Sequence, residues 1–130
     1  MQKRINSVKE FHTAFEIGYS EVPRADLGEA KNLLRFNLMK EENEEYLEAA
    51  INNDLTEVAD ALGDMLYILC GTIIEHGLQD KIEAVFDEIQ RSNMSKLGAD
   101  GRPVYREDGK VMKGPSYFKP DFSGIIDNGK

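Results

Sequence analysis

Five acidic residues on two adjacent helical segments are the groups in this chain best placed to do chemistry. Residues 55–74 read as one long apolar helix whose only charged members are Glu57, Asp60 and Asp64. Their i, i+3, i+7 spacing puts them on one stripe. A helix that is apolar nearly all round is normally buried. Carboxylates aligned on such a helix repel one another and resist desolvation unless a cation sits among them. A cation held by carboxylates points in turn to phosphate chemistry.

The preceding segment carries Glu41-Glu42-Asn43-Glu44-Glu45. On a helix, Glu42 and Glu45 share the stripe of Leu38, Tyr46 and Ala49 and point inward. Glu41 stands at the edge of that face, and Glu44 and Glu48 point away. A break at Asn52-Asn53 makes the two helices antiparallel neighbours. Glu42, Glu45, Glu57 and Asp60 then converge as an all-oxygen set, which suits Mg²⁺ or Mn²⁺ and not zinc. Mg²⁺ retains water and binds phosphate oxygens, so the set reads as a site for a nucleotide polyphosphate. Two readings compete with this one. The acids of residues 41–48 could be a solvated face, and salt bridges could neutralise the inward acids, with Arg35 on the stripe of Glu42 as the partner.

The elements that must position these groups are helical. Apolar periodicity predicts helix 1 over residues 5–17, helix 2 over 27–52, helix 3 from Leu55 to about His76, and helix 4 over 79–97. Asp26 is the expected N-cap of helix 2. Asp54 is that of helix 3, with capping-box spacing to Glu57, and Gly77 and Gly98 are stop signals. After Gly98, the Asp108-Gly109 turn between short alternating runs predicts a hairpin or extended arm, and residues 115–130 should drape over a surface or partner chain with a frayed end. The expected fold is all-α: a four-helix bundle-like domain over 1–97, with 98–130 as its C-terminal arm. Helix 2 has a second apolar stripe, Leu33, Phe36, Leu47 and Ile51, opposite the first. Burial on both faces places helices 2 and 3 inside an oligomer, most simply a two-fold homodimer, with a tetramer as the alternative.

Composition narrows the classes further. The 130 residues suffice for one domain, with a formal net charge of −8. Residues 1–90 hold 8 Lys/Arg against 19 Asp/Glu, whereas residues 91–130 hold 8 against 5. This balance argues against a nucleic-acid polymer or an anionic membrane as partner. The basic end could meet an anionic ligand. A lone cysteine, Cys70, excludes an internal disulfide and a zinc cluster. The N-terminus leads into an amphipathic segment and has no apolar signal region, and no apolar run is long enough to span a bilayer, so a cytoplasmic location is expected.

Glu-Glu-x-x-Glu at 41, 42 and 45, followed by Glu-x-x-Asp at 57 and 60 on the next helix, resembles the all-α nucleoside triphosphate pyrophosphohydrolases. That superfamily includes MazG-like enzymes, dimeric dUTPases, dCTP pyrophosphatases and phosphoribosyl-ATP pyrophosphohydrolase. The resemblance covers about residues 5–97. Arg91-Ser-Asn-Met-Ser-Lys96 and the run 108–115 look like the tail of the phosphoribosyl-ATP pyrophosphohydrolase-like subgroup. The resemblance implies that Glu42, Glu45, Glu57 and Asp60 hold Mg²⁺, that Glu41 helps bind a second ion or orients the attacking water, and that Asp64 lies in an outer shell. It implies hydrolysis between the α and β phosphates, yielding a nucleoside monophosphate and pyrophosphate.

Positive groups should complete such a phosphate site: Arg91, Asn93 and Lys96 at the end of helix 4, then Lys110 and Lys113 on the tail. Each could equally be a solvated surface residue. His12 is a candidate for contact with a base, while Phe11 and Phe15 read as core. The closest rival substrate is phosphoribosyl-ATP, in histidine biosynthesis. A di-iron bundle needs Glu-x-x-His pairs, and neither His12 nor His76 has a Glu three residues before it. A non-catalytic helical dimerisation module is the remaining alternative.

Overall fold

The structure, a computed structural model, describes residues 1–126. It is all-α in class, with four long helices and one small ribbon: α1 Gln2–Ala14, α2 Glu29–Ile51, α3 Leu55–Glu75, α4 Ile82–Met94, β1 Val104–Tyr105, β2 Val111–Met112 and α5 Ser123–Ile126. The expectation for residues 127–130, a frayed end, lies outside the described residues. No helix among those described is long and apolar enough to cross a membrane. The chain forms two compact units, Met1–Asp80 and a second from Lys81 onward.

In the first unit α3 is the central element, packed by α2 and by α1. Its core joins Ile5 and Val8 of α1, Ala49 of α2, and Ala61, Cys70, Ile73 and Ile74 of α3. Helix boundaries follow local chemistry. α1 runs about three residues earlier than the periodicity predicts, because Glu16 takes a positive φ of 58° and the N–H groups of Ile17 and Gly18 turn back to His12 O. α2 starts at Glu29, since Gly28 has φ 93° and is its cap. Asp26, the expected cap, instead binds the Gly28 N–H and the Asn32 side-chain amide. Asp54 caps α3 as expected, and Gly77 ends it at φ 70°. The loop 15–28 closes over this end: Arg24 N–H donates to His76 O, and a Cβ on Gly77 would strike the Val22 carbonyl.

One expectation fails within a single chain. α3 is not buried all round, because its buried residues other than Ala61 lie in the C-terminal part, Cys70 to Glu75. Leu55 is 80 % exposed, and Leu62, Leu66, Tyr67 and Leu69 are each more than 40 % exposed. α1 and α2 together cannot cover all faces of a 21-residue helix. On α2 the stripe Leu38, Met39, Tyr46 and Ala49 is covered to varying degree, whereas Leu33, Phe36, Leu47 and Ile51 are exposed, as is Leu34 of the covered stripe.

The second unit is built on α4. It is shorter at both ends than the periodicity predicts. Gln79 is drawn away by its side-chain bond to Ser20 O, and the chain turns after Met94 through Ser95. The expected hairpin is present, with Val104 opposite Met112 and Tyr105 opposite Val111, antiparallel. The following residues lie back along α4: Gly114 N–H donates to Lys96 O, Ser92 Oγ to Phe118 O, and Lys81 Nζ to Ile125 O. The four-residue α5 was not anticipated.

Candidate active site

The register between α2 and α3 brings the acids together. The turn at 52–54 is tight, with Asp54 N–H donating to Ala49 O at 2.9 Å and Asn53 at a positive φ of 54°. Antiparallel helices leaving such a turn place Glu42 level with Asp64, and Glu45 level with Asp60 and Ala61. The electrostatics agree. The Glu42 carboxyl is pushed up to about 7, first by burial, then by hydrogen bonding with and the charge of Glu45, then by the charges of Asp64 and Asp60. Glu42 Oε2 is enclosed and has no hydrogen-bond partner.

A cavity of about 450 Å³ opens alongside, lined by Glu45, Glu48, Ala49, Asn52, Asp54, Glu57, Asp60 and Ala61. Glu45, Glu57 and Asp60 therefore share one wall system, and Glu42 adjoins it through Glu45 and Asp60. One detail differs from the sequence reading: Glu48, read as pointing away, lines this cavity. Asp64, on the same stripe as Asp60, acts on Glu42 ahead of it. Glu41 is exposed and does not line the cavity.

An enclosed carboxylate oxygen with no partner, facing other carboxylates, fits a hard cation and the oxygen-only donor set such a cation prefers. Among the described residues, no three Asp, Glu, His or Cys side chains already stand in ligand geometry. Glu45, Glu57, Asp60 and Asp64 are exposed, and Glu42 alone is partly covered.

Arg35 does not neutralise these acids. It is buried, its Nε donating to Thr72 Oγ1 at 3.0 Å and its Nη2 to Ile68 O at 2.8 Å. Its Nη1 lies 3.2 Å from Glu75 Oε2, and Lys31 Nζ lies 2.8 Å from Glu75 Oε1. Burial lowers the Arg35 pKa below its usual value, and Glu75 opposes that shift. Glu75, only 2 % exposed, escaped the sequence reading. The available signal was an acid ending an apolar helix, with two cations four residues apart on the preceding one.

His12 is likewise structural. It is 3 % exposed, and its Nδ1 is 2.8 Å from Gly18 O, which places the ring in the core between α1 and α3. The expectation that it contacts a base gives way to burial: a ring so enclosed presents no edge to a ligand.

The cationic candidates all belong to the second unit. Arg91 is committed to Glu88 at 2.9 Å and stacks over Phe118 at 4.4 Å. Asn93 is exposed, and Lys96 is partly covered with its carbonyl holding Gly114. Lys113 lies over the Tyr117 ring at 4.8 Å, and Lys110 follows the Asp108 turn.

Two antiparallel helices that bring acids together along one seam, within an all-α fold, define the class to which the chain is to be compared. Residues 8–93 match the family described as phosphoribosyl-ATP pyrophosphohydrolase, and the chain belongs to that family. It is a hydrolase acting on the phosphoric anhydride bonds of nucleotides. A solved structure from Exiguobacterium sp. 255-15, whose description as an NTP pyrophosphohydrolase is itself provisional, shares 24 % identity at a TM-score of 0.49, covering 90 % of this chain and 88 % of that one. No curated protein matches.

Proposed function

We propose that the chain hydrolyses the bond between the α and β phosphates of a nucleoside triphosphate, releasing a nucleoside monophosphate and pyrophosphate, with Mg²⁺ held by Glu42, Glu45, Glu57 and Asp60. The observation that carries this reading is the enclosed, unpartnered Glu42 Oε2 among Glu45, Asp60 and Asp64. A bound Mg²⁺, or Mn²⁺, supplies charge neutralisation at the phosphate oxygens and lowers the pKa of a coordinated water. The chain's own residues do the rest. Glu41, exposed at the rim, orients the attacking water and accepts its proton. Asp64, whose charge acts on Glu42, stands in an outer shell beyond the ligand set. Arg91, Asn93, Lys96, Lys110 and Lys113 are the groups assigned to phosphate binding, of which Arg91 is paired with Glu88.

Phosphoribosyl-ATP is the second substrate reading, favoured by the family match over residues 8–93. The bond cleaved is of the same kind and the ligand larger. The exposed stripe Leu33, Phe36, Leu47 and Ile51, with Leu55 and Leu62 of α3, supports a homodimer that covers these faces. The test is pyrophosphate release from a panel of NTPs, dNTPs and phosphoribosyl-ATP, with and without Mg²⁺. Metal-dependent release names the substrate. Silence across the panel, with no metal-induced rise in melting temperature, returns the chain to a non-catalytic dimerisation module.

A further inference from the structure

We propose that Arg35 and Glu75 form a positioning pair that fixes the register of α2 on α3, so that the acids of the two helices stay converged when no cation is bound. This rests on the metal reading above.

The geometry begins with a problem. Glu42, Glu45, Asp60 and Asp64 bring like charges to one seam between two helices, and their repulsion drives those helices apart. The 52–54 turn restrains only one end. The other end is held by one guanidinium. Arg35 donates hydrogen bonds to Ile68 O and Thr72 Oγ1 and pairs by charge with Glu75 Oε2 at 3.2 Å, three partners spread over two turns of α3. Lys31, one turn earlier on α2, holds the second oxygen of Glu75. Gly71 makes room: a Cβ there would stand 2.6 Å from Arg35 Nη2. Arg35 and Glu42 are seven residues apart on one stripe of α2, roughly 10 Å along the axis. The clamp and the turn thus bracket the acids. A planar fork that makes two directed hydrogen bonds and an ion pair resists sliding and rotation, whereas a lysine ammonium at the same position meets these partners only as a point charge.

The test uses Arg35→Lys and Glu75→Gln in the full chain, with two readouts. The first is Mn²⁺ affinity measured by titration without substrate, alongside the split between half-saturating metal and kcat. The second is amide hydrogen exchange in the metal-free protein. Expected are about a tenfold loss of Mn²⁺ affinity with kcat at saturating metal little changed, the scale typical of residues that orient metal ligands. Expected also is faster exchange confined to residues 38–48 and 57–66. Unchanged Mn²⁺ affinity in both variants, with exchange unchanged or raised equally in α1, overturns the pair's positioning role and leaves a structural one. If the wild type binds no Mn²⁺ but exchange rises at 38–48 and 57–66, the clamp stands and the metal reading fails.

Discussion

Asp54 Oδ1 accepts the backbone N–H of Glu57 at 3.2 Å, while the N–H of Asp54 goes to Ala49 O and not to the Glu57 carboxylate. The capping box is therefore half formed. One residue starts α3, and the other keeps its carboxylate for the cavity it lines. Replacing Asp54 with Ala removes the cap and costs about 1 kcal/mol of stability. Urea denaturation checks this, and an unchanged midpoint would show that the cap is idle.

Glu42 gives the metal-free protein a pH dependence. Its folded value of about 7 stands above the ordinary 4.5. Between those values the folded state binds the proton more tightly than the unfolded chain does. This contribution to stability is complete below 4.5 and is lost as pH rises through about 7. In chelator, the melting temperature should therefore fall between pH 5 and pH 8 in the wild type, and fall less in Glu42→Gln. Equal slopes would remove Glu42 from the account.

A divalent cation should reverse that loss. Mg²⁺ at about 100 times its dissociation constant stabilises the fold by about 2.7 kcal/mol. Glu42→Gln and Asp60→Asn should abolish both the metal-induced rise in melting temperature and pyrophosphate release, while circular dichroism stays helical. Full activity in either variant sinks the ligand assignment.

Gly71 stands where a side chain has no room. Its added Cβ would meet Arg35 Nη2 at 2.6 Å and His12 Nε2 at 2.9 Å, both on side chains fixed by hydrogen bonds. Gly71→Ala should destabilise by about 1–3 kcal/mol, as overpacked cores do, despite the better helix propensity of alanine. Gly63→Ala, with nothing within 4 Å of its Cβ, is the control and should be neutral or stabilising. Denaturation midpoints of the two variants compare them directly.

The acid cluster was legible because its signal is local. Spacing alone puts Glu57, Asp60 and Asp64 on one stripe, and a two-residue break makes the next helix antiparallel. Glu48 departs from its expected direction because a residue at the edge of a face is decided by side-chain direction, not by period. Arg35 was noticed for its stripe but given the wrong partner. Helical spacing says which way a side chain leaves its own helix, not which of several acids it reaches on another.

By itself, then, the chain determined its helices, the breaks at Asn52-Asn53 and Gly77, and the shared stripe of the acids, since capping, glycine dihedrals and the helical repeat act between near neighbours. Tertiary structure decided what those residues do to one another. It buried His12 against the Gly18 carbonyl, gave Arg35 to Glu75, and left Glu42 Oε2 enclosed without a partner. Each depends on which groups meet across the α1–α3 and α2–α3 seams, and on how much water is excluded there. Contacts between residues tens of positions apart, and the desolvation that comes with them, have no period for a sequence to display.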